Sequence, residues 1–195
     1  MDKPQIESMP VHLELPLALY SSERIGVMRM PDWSSLSIQF GLSREMVETL
    51  KAHALDLTDE ELQNNTSDRR RFGEGSYEDW FKKERYPFAL VSEANELAAI
   101  IWFGPEAFPG GEEPVSWDTV AFRSYIPYRG KGVMTPFGRF ALATYLKLMP
   151  GHTVWLETDA TNVPAVRLYE KLGFRSRGYR EGAEERLLMV HEEEA

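Results

Sequence analysis

The stretch "YPFALVSEANELAAIIWFG", Tyr86 to Gly104, constrains the fold more than any other. Two apolar runs flank a polar "SEAN" segment. A helix that spans a bilayer takes about 20 apolar residues, and the longest apolar run here, "LAAIIWF", is far shorter. β-Branched and aromatic residues on either side of a small polar turn predict an antiparallel hairpin.

The segments around it alternate in period. From Ser43, a plausible N-cap, Met46, Val47, Leu50 and Ala54 fall on one helical face, with Glu45 and Glu48 in the early turns. "TDEE" from Thr58 reads as a capping box for a second helix, and "SYEDWFKK" as a short third one. After the hairpin comes the loop "PEAFPGGEEP". The strand "DTVAFRSYI" then sets Val120, Phe122, Ser124 and Ile126 on one side and Ala121, Arg123 and Tyr125 on the other. Val133, Phe137, Phe140, Ala141 and Leu148 return to helical spacing, and Pro150-Gly151 stops that run. "HTVWLET" is a strand. A helix from Val163 to about Leu172 follows, with Asn162 as N-cap, Pro164 in the first turn and Gly173 at C′. "ERLLMV" closes as a strand. Near the N-terminus, "VHLELPLALY" and "IGVMRM" read as strands on either side of an "SSER" turn. The order predicts a mixed α/β or α+β domain around a partly antiparallel sheet.

Composition narrows the chemistry. A chain of 195 residues, 43% hydrophobic and 27% charged, suits one globular domain, and two would be cramped. There is no repeat and no linker of low complexity. The absence of cysteine excludes disulfides, thiolate zinc sites and an acyl-cysteine intermediate. A net charge of -9 argues against non-specific nucleic-acid or anionic-membrane binding and favours a cationic ligand, although solubility accounts for it equally. The N-terminus is acidic and broken by Pro4, Pro10 and Pro16, unlike a signal peptide, so a cytoplasmic soluble protein is expected.

Between the "DTVAFRSYI" strand and the next helix stands "YRGKGV", Tyr128 to Val133. A strand that runs through a glycine-rich turn into a helix gathers backbone N–H groups and the positive end of the helix dipole, which suits phosphate. Gly130 and Gly132 let backbone approach a ligand, while Arg129 and Lys131 add charge. Taken alone, the stretch is equally a tight turn with two solvated basic residues. It is neither a Walker A loop nor a dinucleotide fingerprint, since Lys131 is followed by Gly132 and position 135 is Thr135.

Together, "YIPYRGKGVM" and "LETDATNVPAVRLYEKLGF" resemble the GNAT superfamily of acyl-CoA-dependent N-acetyltransferases. The first carries Arg129, Gly130 and Gly132 of the Arg/Gln-x-x-Gly-x-Gly/Ala motif, with Met134 where the last small residue stands. The second carries Asn162, Ala165, Leu168, Tyr169, Gly173 and Phe174 at the family's spacing. The resemblance spans roughly residues 43–190. It implies a GNAT-like fold with a central, mostly antiparallel twisted sheet flanked by helices. Residues 31–190 would form that domain, with 1–30 an extension or first strands and 191–195 a tail.

The resemblance also implies transfer of an acetyl group from acetyl-CoA, with no metal, to a primary amine in a ternary complex. A non-catalytic acyl-CoA-binding sensor or interaction domain of the same fold is the alternative. Tyr125 and Ile126 would polarise the thioester through backbone N–H groups. Arg129, Gly130, Lys131, Gly132, Val133, Met134 and Thr135 would hold the pyrophosphate, with Met134 turned away from it, and Asn162, Ala165 and Tyr169 would flank the pantetheine. Tyr169 would be the general acid, since a phenol's ordinary pKa lies near that of a departing thiol. Glu157 would be the base, with Asp118, Glu106, Glu112 and Glu113 as other candidates. The acceptor would be a small-molecule amine or a peptide amine, met by residues 46–80 and 104–114, and acidic residues in that loop favour a cationic one. No nucleic acid or membrane partner is implied; homodimers are common in the family.

Other features carry less. His12, His53, His152 and His191 show no ligand spacing or carboxylate pairing, so no metal is expected. "DRRRF", Asp68 to Phe72, could attract an anion such as the adenosine 3′-phosphate but reads first as a solvated basic helix end. Trp80, Trp102, Trp117 and Trp155 read as core or pocket walls, and "EEEA" as a frayed tail.

Overall fold

The computed structural model describes residues 3–32, 34–111 and 116–192. Tyr86–Ser92 (β4) and Leu97–Pro105 (β5) form the predicted antiparallel hairpin, with Phe88 opposite Ile101 and Leu90 opposite Ala99. Both are buried along nearly their whole length, which for apolar strands requires a covering layer on each face. They lie at the middle of the sheet. Before them come Gln5–Ser8 (β1), Ser22–Arg29 (β2) and Ser35–Gly41 (β3). After them come Ser116–Ser124 (β6), His152–Asp159 (β7), Phe174–Arg180 (β8) and Ala183–His191 (β9).

Among the described residues nine strands run in the order β1-β2-β3-β4-β5-β6-β7-β9-β8. Every neighbouring pair is antiparallel except β6 with β7. The mixed α/β fold with a mostly antiparallel sheet is therefore as the sequence predicts.

Helices cover both faces. Met134–Leu148 (α4) buries Phe137, Ala141, Leu142 and Tyr145 against one face, where Val163–Lys171 (α5) also packs. Arg44–Leu55 (α1), Glu60–Asn65 (α2), a π-helical turn at Arg69–Gly73 and Tyr77–Phe81 (α3) cover the other through Val47, Leu50, Leu62, Phe72 and Trp80. Ser43 caps α1 by accepting from the Met46 N–H, and Asn162 caps α5 by accepting from that of Ala165.

Several expectations need correction. "VHLELPLALY" is not a strand. Pro10 and Pro16 withhold the donors a ladder needs, and Val11, Leu13 and Leu17 instead pack as irregular chain against the core. The serine of "SSER" at Ser22 opens β2 instead of a turn. The cap of α2 is Asp59, one residue after Thr58, whose hydroxyl bonds Asp56. The last strand begins earlier, at Ala183, and β1, β3 and β8 complete the sheet beyond what the sequence anticipates; "FRSRGYR" in β8 lacks an apolar alternation. The "EEEA" tail lies mostly outside the described residues.

Asp118, buried at the start of β6, accepts from the Tyr145 hydroxyl at 2.9 Å, and the same oxygen meets His152 Nδ1 at 2.6 Å. His152 thus has the carboxylate partner that the sequence conceals. The contact ties α4 to the base of the β6/β7 pair. Tyr145→Phe leaves the buried carboxylate short of one donor and should lower unfolding free energy by about 1–2 kcal/mol, read as a fall in the urea midpoint. An unchanged midpoint would mean that the hydroxyl carries no stability.

Candidate active site

The parallel pairing of β6 with β7 covers only Ser116–Thr119 against His152–Trp155. Beyond it β6 runs on to Ser124 and β7 to Asp159, still held by β5 and β9 on their outer sides but no longer by each other. A cleft of about 1430 Å³ lies along this opening. Residues 119–124 and 155–159 form its floor.

At the end of β6 the chain turns through Tyr128 to Gly132. Gly130 and Gly132 have φ of 77° and 76°, a left-handed region that side chains disfavour. A Cβ on either would meet nothing within 4 Å among the described residues. The first turn of α4 has no side-chain cap, and Gly132, Val133, Met134 and Thr135 line the cleft. Met134 also packs against the main core, so part of its side chain is turned inward. Tyr125, Ile126 and Lys131 are not on the cleft wall. The Tyr125 N–H is donated to Ala98 O at 3.0 Å and its ring stacks on His53, while Ile126 is exposed beyond the end of the strand. The ammonium of Lys131 lies 5.5 Å from the Tyr128 ring centroid.

The opposite wall is α5. Asn162, Ala165 and Tyr169 all face the cleft. The Tyr169 ring packs on Phe122 and Phe174. Burial pushes its phenol above the usual value, opposed by the nearby Arg123 charge, a hydrogen bond with Thr158, and Arg186. Glu157 lines the floor, but its carboxylate is occupied. Oε1 accepts from Arg186 at 2.7 Å, and Arg180 Nε stands 2.5 Å from Oε2 in an ion pair without hydrogen-bond alignment. Among the other base candidates, Glu106 lines the cleft, Asp118 is committed to Tyr145 and His152, and Glu112 and Glu113 lie outside the described residues.

The sequence reading misses a set of acid–arginine pairs that build the remaining wall. Arg129 does not stand free for an anion: it donates to both oxygens of Asp59, at 2.8 and 2.7 Å, and to Ser124 O. "DRRRF" is a solvated basic cluster only at Arg69 and Arg70, which are exposed; Asp68 and Arg71 turn inward. Asp68 is buried and accepts from Arg123 at 2.6 and 2.9 Å and from Arg71 at 2.9 Å. Arg123 lies over Trp102, 4.8 Å from its centroid. One local signal was available: an arginine amid the apolar residues of "TVAFRS" must find a buried partner. The partner's identity is not local. Trp80, Trp102 and Trp155 are buried and line the cleft, whereas Trp117 is only half-buried.

Comparison with known proteins matches residues 50–174 to the Acetyltransferase (GNAT) family. No curated protein matches the sequence. Similar solved folds include the GNAT domain of S. lividans PAT, at 15% identity and TM-score 0.59 over 84% of this chain and 94% of that one. Spermidine N-acetyltransferase from Vibrio cholerae, with CoA and spermine, is 16% identical with TM-score 0.57 over 78% and 92%. Aminoglycoside acetyltransferase AAC(6')-Ib, with coenzyme A and kanamycin, is 16% identical with TM-score 0.58 over 80% and 94%. Among the described residues no group of histidines and carboxylates could hold a metal, and no helix is long and apolar enough to cross a membrane.

The Asp59–Arg129 pair makes a pH-dependent contribution. Hydrogen bonds from Arg129, and more weakly from the Leu62 N–H, hold the Asp59 carboxyl below its ordinary 3.8 against the cost of burial. A carboxyl lowered by folding stabilises the protein above its unfolded pKa, and that stability is lost as pH falls through the folded value. Asp59→Asn retains a cap for α2 but removes the charge. Its melting temperature should be lower than wild type at neutral pH and should approach it as pH falls below the ordinary 3.8 and through the lowered folded value. Parallel curves would rule the pair out as a source of acid lability.

Proposed function

The chain belongs to the acetyltransferase (GNAT) family, and on that premise we propose that it transfers an acetyl group from acetyl-CoA to a primary amine by direct attack within a ternary complex. The observation that carries the reading is the opening of β6 from β7, with Tyr169 on one wall and the uncapped first turn of α4 on the other. Backbone N–H groups at such a turn suit a pyrophosphate. The space beside Gly130 and Gly132 allows close approach of one.

In this reading Gly130, Gly132 and the N–H groups of Met134 and Thr135 hold the pyrophosphate, while Asn162 and Ala165 flank the pantetheine between the open strand edges. Arg129 shapes the loop through Asp59 and Ser124 O. When bound, acetyl-CoA supplies the activated acetyl group. The thioester oxygen is assigned to the open edge of β6, since the Tyr125 N–H is already donated. Tyr169 holds the proton that the departing sulfur takes up, and burial keeps its phenol protonated at neutral pH. The acceptor nitrogen forms the new bond to the acetyl carbon as the carbon–sulfur bond breaks. Both oxygens of Glu157 are engaged by arginines, so it positions Arg186 and Arg180, and the amine proton leaves to solvent through the cleft.

Tyr169→Phe should reduce acetyl-CoA-dependent thiol release about 100-fold or more across a panel of amines without changing the rise in melting temperature at saturating acetyl-CoA. Unchanged release would remove Tyr169 from the role of acid. A thermal shift with no amine turned over would favour the acyl-CoA-binding sensor instead.

A further inference from the structure

On the cleft wall next to Tyr169, two guanidinium groups converge on the buried carboxylate of Asp68, and a third, that of Arg85, lines the same cleft. Each nitrogen of Arg123 has a partner, through two hydrogen bonds to Asp68 and one to Phe122 O. Arg71 shares the same Asp68 and leans on Trp102, 5.6 Å from the ring centroid. Burial and the neighbouring charges of Arg123 and Arg85 push its pKa down despite Asp68. One carboxylate faces two guanidinium groups, so Asp68 leaves net positive charge there.

Arg85 has no such partner. Its side chain is 13% exposed, and Nη2 is 3.7 Å from the carboxylate of Glu106, which is itself 51% exposed. Among the described residues, Nε and Nη1 are buried with no hydrogen-bond partner. The guanidinium is pressed against Gly104, where a Cβ would come within 2.7 Å of Nη1. A buried charge without hydrogen-bonded compensation is costly. The remaining exposed edge of this one lines the cleft.

Resting on the acetyltransferase reading above, we propose that the acceptor amine also carries an oxyanion, a carboxylate or a phosphate, and that Arg85, supported by Arg71, reads it. The surplus of positive charge disfavours polycationic amines at this wall and attracts an acid group. Glu106, held at 3.7 Å, is the rim carboxylate that such a group would displace. This reverses the expectation of a cationic acceptor drawn from the acidic loop.

Matched amines test it: amino acids against their amides and decarboxylated forms, phosphoethanolamine against ethanolamine, and spermidine as the polycation. Thiol release gives turnover, and thermal shift with CoA present gives binding. The acid-bearing member of a pair should be preferred about tenfold or more, the worth of one charge-assisted hydrogen bond. The two acid types separate carboxylate from phosphate. Arg85→Gln should abolish that preference through KM for the amine while KM for acetyl-CoA stays put. Glu106→Gln, at an exposed position, should lower the KM for the acid-bearing amine, so the idea remains testable if Arg85→Gln folds poorly. Preference for spermidine or the amides, an Arg85→Gln or Glu106→Gln variant with unaltered discrimination, or no acid-bearing amine that reacts or stabilises, would overturn it. Failure of acetyl-CoA to shift the melting temperature would instead strike the acetyltransferase reading, and the thermal shifts with the acidic ligands would still report on Arg85.

Discussion

A parallel pair of strands cannot be closed by a hairpin and needs a crossover, which α4 provides between β6 and β7. That connection has two consequences. The crossover helix must start near the end of β6, so its uncapped N-terminal turn arrives beside the place where the strands part. Its Tyr145 reaches Asp118 at the beginning of β6, so the base of the pair is held shut while the far end opens. Each wall of the opening is backed by an antiparallel neighbour, β5 on one side and β9 on the other. The cleft is therefore framed by continuous sheet, with one segment of ladder left unmade.

What was legible in the sequence is what is decided locally. The hairpin follows from two apolar runs about a polar turn, and the caps at Ser43 and Asn162 follow from a side-chain oxygen three residues before an N–H. The glycine turn from Arg129 and the segment from Asn162 to Phe174 are short arrangements whose residue types answer to backbone geometry, and they carry the family resemblance. Strands β1, β3 and β8 were not legible in this way. A polar edge strand such as "FRSRGYR" is specified by its neighbour β9, and the pairing of Phe174 with His191 is a fact of the fold alone.

The charged walls are the extreme case of that limit. Asp59 and Arg129 are 70 residues apart, and Asp68 and Arg123 are 55 apart. An alternation pattern can show that Arg123 points away from Phe122; it cannot show which carboxylate waits there. The same blindness affects the role of Arg129. Its position in the glycine motif suggests charge offered to a ligand, whereas its guanidinium fastens the loop to α2 through Asp59.

Net charge is silent about the cleft for a related reason. A total of -9 averages over the surface, and a binding wall depends on charges within a few ångströms of it. Taking a guanidinium out of water costs several kcal/mol that a single shared carboxylate does not return. A well-packed apolar cluster over Trp102 would serve stability at least as well. Two arginines on Asp68, with a third held back from Glu106, are thus a poor solution to folding taken alone. Under the proposal of an acid-bearing acceptor, the missing negative charge belongs to the molecule that enters the cleft.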